Sequence, residues 1–123
     1  MKFARVVFWF AGVLGFLEIT PLYFLYDTVG RRTPPPLTHP DFYYGFVGVA
    51  LAWQLAFLII GSDPVRYRPM MIPAIAEKFL YGVTLIVLYL QERIGPEQMF
   101  GLSDLILGLL FIVAFWKTPS ARG

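Results

Sequence analysis

Apolar positions in this chain gather into four runs, and polar residues interrupt them at three places. Crossing the hydrocarbon core of a bilayer as a helix takes about 20 predominantly apolar residues. The first run, Val6 to Tyr26, meets that length with Glu18 as its only charge and Pro21 three positions later. A central charge opposes insertion by about 2.5–3.5 kcal/mol, whereas each Leu, Ile, Phe or Val favours it by about 0.3–0.6 kcal/mol. Twelve such residues lie between Val6 and Tyr26, worth roughly 4–7 kcal/mol together, so insertion survives Glu18. The second run, Phe42 to Ile60, carries no charge and has Gln54 as its strongly polar side chain. The third must reach back to Ile72 to span as far as Leu90, which takes in Glu77 and Lys78. The fourth runs from Met99 to Trp116 and includes Asp104.

The interruptions set the topology. Asp27 to Asp41 reads as a loop in which Thr33-Pro34-Pro35-Pro36 favours extended polyproline geometry. The middle stretch, Asp63 to Lys78, combines three prolines with Arg66, Arg68 and the Glu77-Lys78 pair. There Asp63-Pro64 ends one helix, and Pro73 suits the first turn of the next, where its missing N–H leaves no bond unmade. Gln91 to Gln98 forms a short turn around Gly95-Pro96. Lys2, Arg5, Arg66, Arg68, Lys78, Lys117 and Arg122 belong to the N-terminus, the middle stretch and the tail, against Arg31, Arg32 and Arg93 in the other two loops. Basic residues near span ends favour the cytoplasmic side. The expected architecture is all-α: one domain over residues 1–123, a four-transmembrane-helix bundle with both termini cytoplasmic. The shorter second hairpin leaves a re-entrant or tilted arrangement as the alternative.

Composition narrows the function classes. Of 123 residues, 58% are hydrophobic and only 15% charged, where soluble domains average about 25% charged. The net charge of +2 is small and its carriers scattered, so nucleic acid is not an expected partner. Cysteine is absent, which removes disulfides, thiolate catalysis and Cys-ligated metals, and the single His39 cannot build a multi-histidine metal site. No P-loop, H-E-x-x-H or catalytic triad spacing occurs, so no catalytic residue, metal or cofactor is assigned. The apolar run after Met1-Lys2-Phe3-Ala4-Arg5 continues too far for a signal peptide and reads as a retained helix.

Small residues let membrane helices approach closely. Gly45, Gly48, Ala52 and Ala56 form such a stripe in the second span. Ala11, Gly15, Glu18 and Leu22 share a face in the first, and Gly101, Asp104, Gly108 and Phe111 do so in the fourth. Ionisable groups inside a membrane are functional candidates. Glu18 and Asp104 would form an outer polar pair, Gln54 with Glu77 and Lys78 an inner group, and Glu77, Tyr81 and Thr84 a polar stripe on the third span. A structural reading stands beside each: Glu18 protonated and hydrogen-bonded, Asp104 starting its helix, Glu77-Lys78 at the interface. Arg66 and Arg68 would hold lipid headgroups or serve as the ordinary basic flank. His39, with Asp41 two residues on, reads as ordering its loop.

The segments His39–Gln54 and Asp63–Lys78 resemble those of small uncharacterised four-span bacterial membrane proteins, and the overall plan is similar to DoxX-like proteins. A fainter likeness, to EXPERA-type sterol-binding proteins, rests on Gln54, Pro73-Ala74, Tyr81-Gly82 and Thr84. These resemblances imply a multi-pass protein of the bacterial inner membrane. Without a catalytic motif, the leading expectation is an accessory or assembly subunit working with a membrane-protein partner or a second copy. The alternatives are a binder or carrier of an apolar small molecule (isoprenoid, sterol or quinone) and proton-coupled transport through Glu18 and Asp104.

Overall fold

A computed structural model describes residues 2–32, 38–95 and 102–119. Among them the chain is all helical: α1 (Lys2–Ile19), a 3-10 segment (Thr20–Phe24), α2 (Tyr26–Arg32), α3 (Pro40–Ser62), a second 3-10 segment (Arg68–Met70), α4 (Met71–Leu90) and α5 (Ser103–Lys117). Three stretches, Lys2–Phe24, Pro40–Ser62 and Arg68–Leu90, are each 23 residues long and apolar enough to cross a membrane. Their outward faces carry Val6, Phe10, Leu17, Phe24, Val49, Leu55, Ile59, Leu80 and Leu90, all more than half exposed. An apolar exterior of that extent is what lipid covers and water does not.

Proline and charge explain the helix boundaries. Pro21 has no N–H, and its ring opposes the carbonyl four residues earlier, so the α-helical bonding of α1 ends at Ile19 and the chain tightens into the 3-10 segment. The loop expected to begin at Asp27 instead opens with α2, because Asp27 lies in its first turn and Arg31 and Arg32 in its last. Both ends thus complement the helix dipole. The run Thr33–Pro36 lies outside the described residues, as does Gly101 of the fourth-span stripe. Pro40 opens α3, with Asp41 in the first turn. At the other end of α4, the N–H groups of Glu92 and Arg93 donate to the carbonyls of Tyr89 (3.0 Å) and Leu88 (2.9 Å). This closes a Schellman motif around Glu92, whose φ of 59° is a conformation more usual for glycine.

The middle stretch is an elbow. The Asp63 side chain accepts a hydrogen bond from the Arg66 N–H at 3.4 Å, the 3-10 segment follows, and Pro73 occupies the first turn of α4. The Arg68 side chain reaches across to α5. Its Nε donates to the carbonyl of Thr118 at 2.7 Å and lies 3.2 Å from that of Phe115, while the guanidinium stacks 3.7 Å from the Phe115 ring. A cation placed on the last carbonyls of a helix satisfies them and meets the negative end of its dipole.

α1 packs against α3 and α5, α5 packs against α4, and α3 and α4 barely touch. At the centre three phenylalanines meet, one from each of α1, α3 and α5. Phe8 stacks on Phe111 at 4.2 Å between ring centroids, and Phe57 approaches Phe111 edge-on at 5.1 Å. The start of α1 lies beside the end of α3, where Gly61 faces Trp9 and Arg5. It also lies beside the end of α5, where Lys117 sits 4.8 Å from the Phe3 ring. The elbow joins them through Arg68, so the beginning of α1 and the end of α5 occupy the same end of the bundle.

The small-residue stripe of α3 is not its packing face. Gly45 and Ala52 are exposed, Gly48 and Ala56 only half-buried, and a side chain added at Gly45 would meet nothing within 4 Å. The buried face is Val47, Ala50, Gln54, Phe57, Ile60 and Gly61. The reason lies across the interface: α1 brings Gly12 and Gly15 against Leu58 and Gln54, so there α3 fills the space with larger side chains. The stripes expected in α1 and α5 do face inward at Ala11 and Gly15, and at Gly108 and Phe111.

Candidate functional site

The buried face of α4 runs through Met71, Ala74, Lys78, Gly82 and Leu85, so a lysine occupies the centre of an otherwise apolar seam. Lys78 is 4% exposed. Its ammonium lies 3.4 Å from Asp104 Oδ1 and 3.6 Å from Glu77 Oε2, and 5.0 Å from the centre of the Phe57 ring. Two glycines bring α5 close enough for this. Gly82 leaves room for Leu105, and a side chain at Gly108 would stand 3.2 Å from Lys78 Cβ. Asp104 lies one turn before Gly108 and therefore faces the same seam.

Beside this ion cluster is a partly open cavity of about 140 Å³, reached by the exposed Glu18 and Ser103. Glu18, Gln54, Glu77, Tyr81 and Asp104 all line it, together with Lys78 and Ser103. All five candidates from the sequence therefore border one space. Their grouping differs from the expected one, since Asp104 has Lys78 as its ion partner and the outer and inner sets merge. Lys78 was expected in the inner group or at the interface, and its central place went unforeseen. A signal was present: Lys78 falls in helical register with Ala74 and Gly82, between small apolar neighbours rather than on a polar face.

Gln54 is 1% exposed. Its Nε2 donates to the Ala50 carbonyl at 2.8 Å, which fixes the amide orientation, since the reverse would set two oxygens face to face. Oε1 then points toward α1, where a side chain in place of Gly15 would overlap it. Gln54 Oε1 and Glu77 Oε2 are buried without a hydrogen-bond donor among the described residues.

A second space lies where α3 and α4 separate. It is a lateral groove of about 860 Å³, walled by Asp41, Phe42, Gly45, Phe46, Val49, Ala50 and Trp53 on one side and Pro73, Ala76, Glu77, Leu80 and Tyr81 on the other. The stacked rings of Phe46 and Tyr81, 5.9 Å apart, bridge it. Phe46, Ala50, Glu77 and Tyr81 line both the groove and the cavity. The apolar groove thus adjoins the polar cluster.

The other candidates stand apart from this site. Arg66 is exposed on the elbow, 5.4 Å from the Tyr67 ring, and Arg68, grouped with it as a headgroup ligand, has its Nε on the α5 carbonyls. Thr84 is exposed and bonds its own helix at the Leu80 carbonyl, 2.6 Å away. His39 precedes α3 and stacks on Phe42. Among the described residues no group of three or more His, Cys, Asp or Glu is placed to hold a metal ion. No protein-family model, curated protein or solved structure matches this chain.

Proposed function

We propose that this protein is a four-span membrane protein that binds an apolar small molecule of the isoprenoid, sterol or quinone kind between α3 and α4. In this reading the molecule's polar end lies at Glu77 and Tyr81. The observation that carries the proposal is the shared wall of the two spaces. A bilayer-facing apolar groove whose inner side chains Glu77 and Tyr81 belong to a half-buried polar cluster combines the two properties of a small-molecule site, apolar area and a few fixed polar groups. The accessory-subunit reading draws on the short loops, the small-residue stripes and the absence of a catalytic motif, none of which specifies a partner. The relay reading draws on Glu18 and Asp104, which border the same cavity, with Lys78 as the ion partner of Asp104.

Purification in mild detergent followed by native mass spectrometry tests the proposal. We expect a retained apolar molecule, and we expect Gly45→Leu to reduce its retention without lowering thermal stability, because that position has open space toward the groove. A stoichiometric foreign protein with no small molecule would favour the accessory role instead.

The fourth span is α5, which lies along α1 and α4 and shares the core through Phe111. Both termini are cytoplasmic, since Lys2, Arg5, Arg66, Arg68 and Lys117 gather at the end of the bundle that holds the elbow. A reporter fused after Gly123 is expected to be active only in its cytoplasmic form. Periplasmic activity would overturn the orientation.

A further inference from the structure

We infer that the groove selects its molecule by charge, admitting a neutral or cationic head and refusing an anionic one, and that Asp41 sets this preference. The inference rests on the groove being a ligand site and adds the charge class of what enters it. The charged residues in the groove's walls are Asp41 from α3 and Glu77 from α4, and no basic side chain lines it. The two acids differ in their surroundings. Glu77 has the Lys78 ammonium 3.6 Å away, and Lys78 borders the cavity but not the groove. Asp41 is exposed and has no ion partner among the described residues. The two internal stretches outside them, 33–37 and 96–101, contain no lysine or arginine. Position adds to this. The elbow joins α3 and α4 at one end, and Asp41 stands in the first turn of α3, at the other. From Asp41 to Trp53, the α3 residue of the groove nearest the elbow, the helix rises about 18 Å. A head group arriving from the end away from the elbow therefore meets an unbalanced carboxylate before it reaches Glu77 and Tyr81. A like charge is repelled there and an opposite one drawn in, more strongly than in bulk water, because apolar walls lower the local dielectric.

The test compares three probes that share a geranylgeranyl chain and carry heads of fixed charge: the alcohol, the trimethylammonium salt and the sulfonate. Binding is read in phosphatidylcholine nanodiscs from the fluorescence of Trp53, which lines the groove, with Trp9→Phe and Trp116→Phe removing the other indoles. In the parent the sulfonate is expected to bind most weakly. Each probe is then compared between the parent and Asp41→Asn in the same nanodiscs, so that partitioning into the bilayer cancels. At low salt Asp41→Asn is expected to tighten sulfonate binding about threefold and to weaken trimethylammonium binding by a similar factor, with the alcohol unchanged. Asp41→Lys should enlarge both changes, and high salt should erase them, because the carboxylate is exposed. A sulfonate bound as tightly as the alcohol in the parent would overturn charge selection and leave the groove reading intact. Selection that persists unchanged in Asp41→Asn would overturn the role of Asp41 and place the preference on Glu77. A single factor common to all three probes would mark a structural effect of the substitution and overturn that role as well. Saturable binding of none of the three would remove the groove reading, and this inference with it.

Discussion

Lys78→Met is expected to destabilise the protein by about 3–5 kcal/mol, the usual consequence of removing one partner from a buried ion cluster. Methionine matches the length and flexibility of the lysine side chain, so packing against Phe57 is largely retained and the change is electrostatic. What remains is Glu77 beside Asp104, two half-buried carboxylates without their shared cation. The control is the triple variant Lys78→Met, Glu77→Gln, Asp104→Asn. Replacing all members of such a cluster by neutral groups is often close to neutral in stability, so it should recover most of the lost midpoint in thermal unfolding followed by circular dichroism in detergent. A Lys78→Met variant as stable as the parent would mean that the cluster is already neutralised by other means.

The second large effect is expected at the phenylalanine junction. Phe111 is fully buried and touches Phe8 and Phe57 together, so Phe111→Ala opens a void where three helices meet. Large-to-small core changes of this kind reach about 3–5 kcal/mol in water-soluble proteins. In lipid, van der Waals packing rather than release of water holds helices together, which places the expected loss at the lower end, about 3 kcal/mol. The signature should be spatial as well as energetic. With a reporter cysteine introduced into the otherwise cysteine-free chain at the inward-facing Ala114, labelling should accelerate in Phe111→Ala and stay slow in the parent. Unchanged labelling with lowered stability would argue that α1, not α5, is what the junction holds.

The long apolar runs were legible because a bilayer imposes length and composition on each helix separately. The three stretches that satisfy those demands, Lys2–Phe24, Pro40–Ser62 and Arg68–Leu90, overlap the expected first three spans. What escaped the sequence was pairwise. The stripe Gly45–Gly48–Ala52–Ala56 resembles a packing face when α3 is viewed alone, and it loses that role only because α1 supplies the small residues. Lys78 looked like an interface residue because its charge outweighed its register. α2 reads as loop in the sequence because seven residues carry little periodicity, although the order of Asp27, Arg31 and Arg32 matches a helix dipole. Glu18, Gln54, Glu77, Tyr81 and Asp104 were individually conspicuous as polar groups in apolar surroundings. That they border one cavity depends on the angles at which the helices meet, which no single segment encodes.

The contact between Arg68 and Thr118 joins positions 50 residues apart, and this separation orders events during synthesis. Arg68 leaves the ribosome before α4 and α5, so the carbonyls it serves do not exist when α4 begins to insert. The clasp closes only after the last turn of α5 has formed. Arg68 therefore ties the elbow that starts the second half of the chain to the end of that same half.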